Sequence, residues 1–335
     1  MLGISRLVRS ATLYGVVELL ADLGHDASPL LRRYGLRMSD LLQPDHPIPV
    51  DAACQFLETA ATHTGHTDFG LRLASRRRLA NLGSVSVVLR EEPTGLQALH
   101  SLCRYLQLVN PCLNTSWQEM GEVVVIEEQL LTDEHVPQRQ AVEMAVGVMH
   151  GILRELLGAS WRAQRICFTH RAPPDNSFAK RLFACPLEYN GTFNGIVCAR
   201  GPLAVQLPGR DAALARFTQR TLERSLAHTP QSSQQTVRQL VTALLAQGRC
   251  TATQVASILA MDRRSLARHL QREGETFSSI LRAVRKELVM RQLQDSDRSI
   301  SDIAHLLGFG SLSAFAHWYR SEYGCSISQW RQTRQ

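Results

Sequence analysis

Apolar positions recur at intervals of three and four through much of the chain, and the breaks in that rhythm divide it into elements. Between Val50 and Ala61 they fall at 50, 53, 56, 57 and 60, the spacing of one helical face, with Pro49 standing where a helix begins. A second helix is predicted from Thr94 to Leu108 on Leu96, Leu99, Leu102, Cys103 and Leu106, and a third from about Gln138 to Leu157, after Pro137. Two extended runs lie between them, Leu113–Glu119 and Glu122–Leu131, separated by Met120-Gly121, with Val123, Val124, Val125 and Ile126 at the centre of the second. Arg165–Thr169 reads as another strand, closed by Pro173-Pro174. Two short extended pieces are expected between Leu187 and Val205, amid the turn signals Asn190-Gly191, Asn194-Gly195 and Gly201-Pro202. Asp211 to about Leu226 is helical again. This mixture predicts an α+β domain over residues 1–226.

Residues 227–235 are polar, with one proline and no bulky apolar side chain, and read as a linker. Every element predicted after them is a helix. Val237, Leu240, Val241, Leu244 and Leu245 form one apolar stripe, with Gly248 as the expected stop. Residues 236–335 are therefore expected to form an all-α domain.

Charge changes at the same boundary. Residues 232–335 carry 14 Lys+Arg against 8 Asp+Glu, a net of +6, and residues 1–231 hold the remaining 23 against 22, a net of +1. A basic excess confined to the last third points to a polyanion partner for that part and a different task for the rest. The eight cysteines include no CxxC pair and no adjacent histidine in zinc-finger spacing, so they are read as buried free thiols. His63 and His66 lie in a polar, glycine-containing segment without the companion Glu of a metallohydrolase helix, and no metal is expected there. GxGxxG, GxxxxGK[ST] and GxSxG are all absent, and no catalytic constellation is found. No apolar run is long enough to span a membrane and the first residues lack a signal-peptide pattern, so a cytoplasmic protein without a cofactor is expected.

One pattern in the basic region occurs twice, over Thr253–Leu270 and Ser301–Tyr319. Each copy opens on an N-capping Ser or Thr, has a small Ala (Ala256, Ala304), a small turn residue (Ala260, Gly308), an apolar residue (Met261, Phe309), and a second cap, Asp262 or Ser311, opening another helix. Helix-turn-helix DNA readers require this layout. The Ala lets two helices cross closely, the turn tolerates positive φ, and the apolar residue fills the small core. Leu266 and Leu270, and Phe315 and Tyr319, are then the inward anchors of each second helix. The outward faces carry Arg263, Arg264 and Arg268 in the first copy and Ser311, Ser313 and His317 in the second.

The residues Ile300, Ile303, Ala304, Gly308, Phe309, Ser311, Ser313 and Phe315, followed by Tyr319-Arg320, Gly324, Ser326 and Trp330-Arg331, resemble the signature of the AraC/XylS family of bacterial transcription regulators. Arg285 to Leu293 resembles the long helix that joins the family's two helix-turn-helix units. Pro44 to Pro49, Asn81-Leu82-Gly83 and the Leu96–Leu108 helix resemble the arabinose-binding-like, non-cupin sensor domain of one branch. The family usually has Arg where His317 stands and Pro where Ile327 stands.

The resemblance implies an α+β sensor and dimerisation domain followed by a DNA-binding domain whose helix-turn-helix units span about 253–274 and 301–324. It implies base readout by Arg264 and Arg268, with Arg263 on a base or a phosphate, and base contacts from Ser313 and His317. Ser311 would be both cap and phosphate ligand, and His269, Trp318 and Trp330 would pack. The expected partners are double-stranded promoter or operator DNA, a small-molecule effector, a second copy in a homodimer, and RNA polymerase if the protein activates. Two other readings stay open, a regulator gated by a partner protein without a small ligand, and an N-terminal enzyme domain tethered to DNA.

Overall fold

The computed structural model describes residues 6–132, 136–207, 212–228, 233–245, 250–259, 261–295 and 298–332. The chain divides into two compact units, 1–229 and 230–335. Gly248, Ala260 and residues 229–232 of the expected linker lie outside the described residues.

The first unit holds a two-stranded sheet, β1 (Leu7–Arg9) with β2 (Pro47–Pro49), and a five-stranded sheet. The latter contains β3 (Leu113–Met120), β4 (Val123–Leu130), β5 (Arg165–Cys167), β6 (Leu187–Glu188) and β7 (Gly195–Ala199) in the order β3-β4-β7-β5-β6. All pairings in it are antiparallel except β5 with β6. The β3–β4 hairpin turns at Gly121, whose φ of +65° lies where a side chain is strained. Val124, Ile126, Glu128 and Leu130 alternate along β4 on one buried face, while Val125 packs on the other with Cys167 and Val197.

Three long helices found by their apolar spacing run Val50–Thr64, Gly95–Val109 and Arg139–Leu157. The last is central to the unit and crosses the short helix Phe69–Ser75 at very close range. A Cβ on Gly70 would fall 2.0 Å from the Gln140 carbonyl oxygen, and one on Gly147 2.7 Å from the Ala74 Cβ. Gln140 locks the crossing, since its Oε1 accepts from the Gly70 N–H at 2.8 Å and its Nε2 donates to the Thr67 carbonyl at 2.9 Å. Gly70→Ala is therefore expected to destabilise the first unit by about 3 kcal/mol through overpacking against backbone. A urea midpoint equal to that of the parent chain would show that the crossing relaxes without strain.

The strand expected over Arg165–Thr169 ends at Cys167. The Thr169 N–H donates to Asn194 Oδ1 at 2.8 Å, so a side chain takes the ladder bond and the backbone turns away. Short helices at Val16–Asp22, Ala27–Arg33, Phe69–Ser75 and Ser84–Glu91 have no counterpart in the sequence reading. About two turns offer too few repeats for the period to emerge.

The described residues of the second unit form helices and no strand. These run Ser233–Leu245, Ala252–Ile258, Arg263–Arg272, Phe277–Asp295, Ile300–Leu306, Leu312–Tyr323 and Ile327–Gln332. Val237, Val241, Leu266, Leu270, Ile303, Phe315 and Tyr319 are buried in its core. Ile327, standing where the family usually has proline, is also buried. Its helix opens instead on reciprocal bonds, Gln329 N–H to Ser326 Oγ at 3.2 Å and Ser326 N–H to Gln329 Oε1 at 2.9 Å.

All eight cysteines are free, four of them buried and four partly so. Among the described residues no helix is long and apolar enough to cross a membrane.

Candidate functional site

The two repeated segments fold alike. The caps of their first helices are Thr251 and Ser299, not the Thr253 and Ser301 with which the repeats open. Thr251 Oγ1 accepts from Gln254 N–H at 3.2 Å, and Ser299 Oγ from Asp302 N–H at 3.1 Å. Those two caps have the β-region backbone that an N-cap needs, whereas Thr253 and Ser301 already lie inside their helices. The first helices end in equivalent bonds, Met261 N–H to the Ala256 carbonyl and Phe309 N–H to the Ala304 carbonyl, both 3.0 Å. Ala256 and Ala304 are buried at 2% and 3% exposure, as a close crossing requires. Gly308 has φ +69°, and a Cβ there would meet Leu245 at 3.2 Å, so conformation and space both select glycine.

Asp262 and Ser311 cap the second helices. Asp262 Oδ1 accepts from Ser265 N–H at 2.8 Å, which holds its carboxyl below the usual range. Ser311 Oγ accepts from Ala314 N–H at 3.2 Å and lies 3.0 Å from Ser313 Oγ. From cap to cap the repeat is not constant. Thr251 and Ser299 are 48 positions apart, Asp262 and Ser311 are 49, so the second turn contains one extra residue, Gly310. Leu266, Leu270, Phe315 and Tyr319 are buried under the second helices.

The outward residues are all exposed: Arg263, Arg264 and Arg268 on one helix, Ser311, Ser313 and His317 at the start and along the face of the other. Arg320, three positions after His317, and Arg272, four after Arg268, are exposed too and lengthen these faces. Neither was singled out from sequence, although the i,i+3 and i,i+4 spacing was available. Trp318 packs on Phe309 at 5.3 Å between ring centroids, and Trp330 lies against the same core.

The helix Phe277–Asp295 fixes the two copies in one body. Arg285 lies 4.2 Å over the Phe309 ring and donates from Nε to the Leu307 carbonyl at 3.0 Å and from Nη2 to the Gly308 carbonyl at 3.3 Å. It thus caps the C-terminus of Ile300–Leu306, and its burial pushes the guanidinium down from its ordinary value. Arg282 pairs with Glu322 at 2.6 Å, and Tyr323 OH donates to the Lys286 carbonyl at 3.2 Å. Glu287 forms a buried ion pair with Arg238 of Ser233–Leu245.

The first unit contains a cavity of about 100 Å³ beneath β4, walled largely by aliphatic side chains such as Leu57, Leu106, Met144 and Met149. Its polar members include Glu128 and Arg77. Glu128 is 4% exposed, Thr115 Oγ1 approaches its Oε1 at 3.5 Å, and its Oε2 has no partner among the described residues. Burial pushes its carboxyl up to about 8, so it is neutral in most molecules at pH 7. Arg77 donates from Nη2 to the carbonyls of Ala11 (3.1 Å) and Thr12, and burial pushes it down to about 10.

Residues 24–207 match the family model described as the arabinose-binding domain of AraC transcription regulator, N-terminal. Residues 255–333 match a helix-turn-helix domain model. The chain is 27% identical over 327 residues to the HTH-type transcriptional regulator VirS of Mycobacterium tuberculosis, covering 97% of this chain and 96% of that one. It is 38% identical over 82 residues to the urease operon transcriptional activator of Escherichia coli, covering 24% of this chain and 28% of that one. A solved structure of the regulator CdpR from Pseudomonas aeruginosa aligns with TM-score 0.41 and 20% identity, over 78% of this chain and 86% of that one.

Proposed function

The chain belongs to the AraC family of transcription regulators, with an N-terminal domain of ligand-binding type and a C-terminal helix-turn-helix domain that binds DNA, and from that premise we propose how its residues divide the work. The two second helices enter successive major grooves on one face of DNA, with half-sites about 10 bp apart. Arg264 and Arg268 read base edges, Arg263 meets a base or a phosphate, and Ser313 and His317 make the second unit's base contacts. Ser311, whose oxygen already serves its cap, can still offer its O–H to a phosphate. Arg272 and Arg320 extend the basic track toward the backbone. The observation that supports this reading most is that both helices bury their anchors and expose Arg263, Arg264 and Arg268, and Ser311, Ser313 and His317, from one rigidly joined core, beside the exposed Leu312 and small alanines.

An apolar or amphipathic effector occupies the cavity beneath β4, with the Glu128 carboxyl as its polar contact, and shifts the population of DNA-competent arrangements. The regulator works in the cytoplasm as a homodimer, contacts RNA polymerase where it activates, and carries out no catalytic step.

Arg268→Ala is expected to cost roughly 1–3 kcal/mol in DNA binding and to relax preference at a single base pair. Gel shifts at fixed salt on an operator and its single-base variants give the answer. Uniform weakening across all sequences would reduce Arg268 to a phosphate contact.

A further inference from the structure

A second recess, of about 460 Å³, opens on the first unit beside the C-terminal half of Arg139–Leu157. Three arginines line it, Arg77, Arg78 and Arg154, together with His150. Its one acid, Glu155, has both oxygens engaged: Oε1 takes the Arg90 Nη2 bond at 2.6 Å and Oε2 the Leu79 N–H at 2.8 Å. The remaining excess is of donors. Arg154 forms no ion pair among the described residues, and its Nε, the Arg77 Nε and the His150 Nε2 are buried without a hydrogen-bond partner. Burial, with Arg154 and Arg162 nearby, pushes His150 down to about 4, which leaves a neutral ring able to donate one N–H. A cation near a helix C-terminus accounts for Arg154 alone, not for three arginines around one hollow. The hollow itself is made by small residues. Gly151, Ala159 and Ser75 line it, and a Cβ placed on Gly151 would meet nothing within 4 Å.

We propose that this recess binds the oxyanion of a small metabolite, a phosphoryl or carboxylate group, which supplies the acceptors that Arg154 Nε, Arg77 Nε and His150 Nε2 lack, while Arg78, whose Nη1 already donates to the Ser75 and Arg77 carbonyls, adds positive charge. Arg77 lines both this recess and the apolar cavity beneath β4, so an anion held here changes the charge at the wall of the other compartment. The site goes beyond the regulator reading and does not depend on it.

The test is thermal unfolding of the full chain titrated with sodium phosphate and, separately, sodium succinate, against sodium chloride at matched ionic strength. Saturable stabilisation by an oxyanion is expected, phosphate alone marking a phosphoryl ligand and succinate alone a carboxylate. Arg154→Gln should raise the apparent Kd at least tenfold. Gly151→Glu, which sets a carboxylate in the open space, should remove the effect while leaving the far-ultraviolet circular dichroism in chloride unchanged. If Gly151→Glu fails to fold, Arg154→Gln decides alone. Stabilisation no greater than chloride gives overturns the proposal. So does stabilisation undiminished in the folded variants, because the anion then sits elsewhere, for instance on the exposed arginines of the second unit. No DNA enters the titration, so its failure leaves the regulator reading standing.

Discussion

Glu287→Ala should lower the stability of the second unit by about 3–5 kcal/mol and, with it, occupancy of DNA at ordinary temperatures. The reason is what the substitution leaves behind. Arg238 is 13% exposed at its side chain and its Nε has no hydrogen-bond partner among the described residues. Without the carboxylate, a guanidinium that cannot lose its proton stays buried beside apolar neighbours. Removing both charges is a different experiment. In Arg238→Met/Glu287→Leu the apolar pair fills similar volume without desolvating an ion, so most of the lost stability should return. Denaturant midpoints of the parent, the single and the double variant measure this. Equal loss in single and double variants would mean that packing by the Glu287 stem, not the charge, holds the helices together.

The second large effect is a pH dependence. Glu128 has its carboxyl pushed up by burial from an ordinary value of 4.5 to about 8. A raised folded-state value makes its stabilising contribution complete below the unfolded value. That contribution is then lost as the pH rises from about 4.5 through about 8, because the unfolded chain ionises freely while the folded one resists. The loss across that window has a ceiling of about 5 kcal/mol for a shift of this size. Glu128→Gln keeps the shape and removes the titration, so the variant should match the parent near pH 5 and exceed it clearly at pH 8–9. Urea midpoints at pH 5, 7 and 9 provide the comparison. Parallel curves for parent and variant would show that the carboxyl ionises normally in the folded chain. An effector that bonds to the neutral acid should push the parent's transition further up in pH.

Much of this was legible in the sequence, for reasons that differ by region. The three long helices of the first unit announce themselves because 15 to 19 residues repeat the period several times. The helix-turn-helix pair is legible because each requirement of a tight crossing falls on a distinct residue type: Ala256, Gly308, Asp262, Leu266 and Phe315. The first caps were misplaced by two residues because Thr251 and Thr253, and Ser299 and Ser301, are chemically interchangeable; only backbone conformation tells them apart. The cavity carried a signal that went unread. Along β4, the register Val124, Ile126, Glu128, Leu130 sets an acid on the apolar face, and alternation alone marks it as buried. The oxyanion recess was legible only in part: His150, Gly151 and Arg154 share one helix with His150 and Arg154 at i,i+4, but Arg77 and Arg78 join them only once the helices Phe69–Ser75 and Arg139–Leu157 have crossed.

The joining helix Phe277–Asp295 also sets a distance. Its 19 residues at 1.5 Å each span about 28 Å, unbroken by proline or glycine and tied to the second turn through Arg285. Such a rod neither stretches nor twists readily, so it acts as a ruler between the two reading heads. DNA with one base pair more between half-sites presents its second groove about 3.4 Å further along and turned by about 36°. On the docking proposed above, the protein would not follow that displacement and the duplex would have to untwist instead. Spacing between half-sites would then be selected by the stiffness of DNA itself.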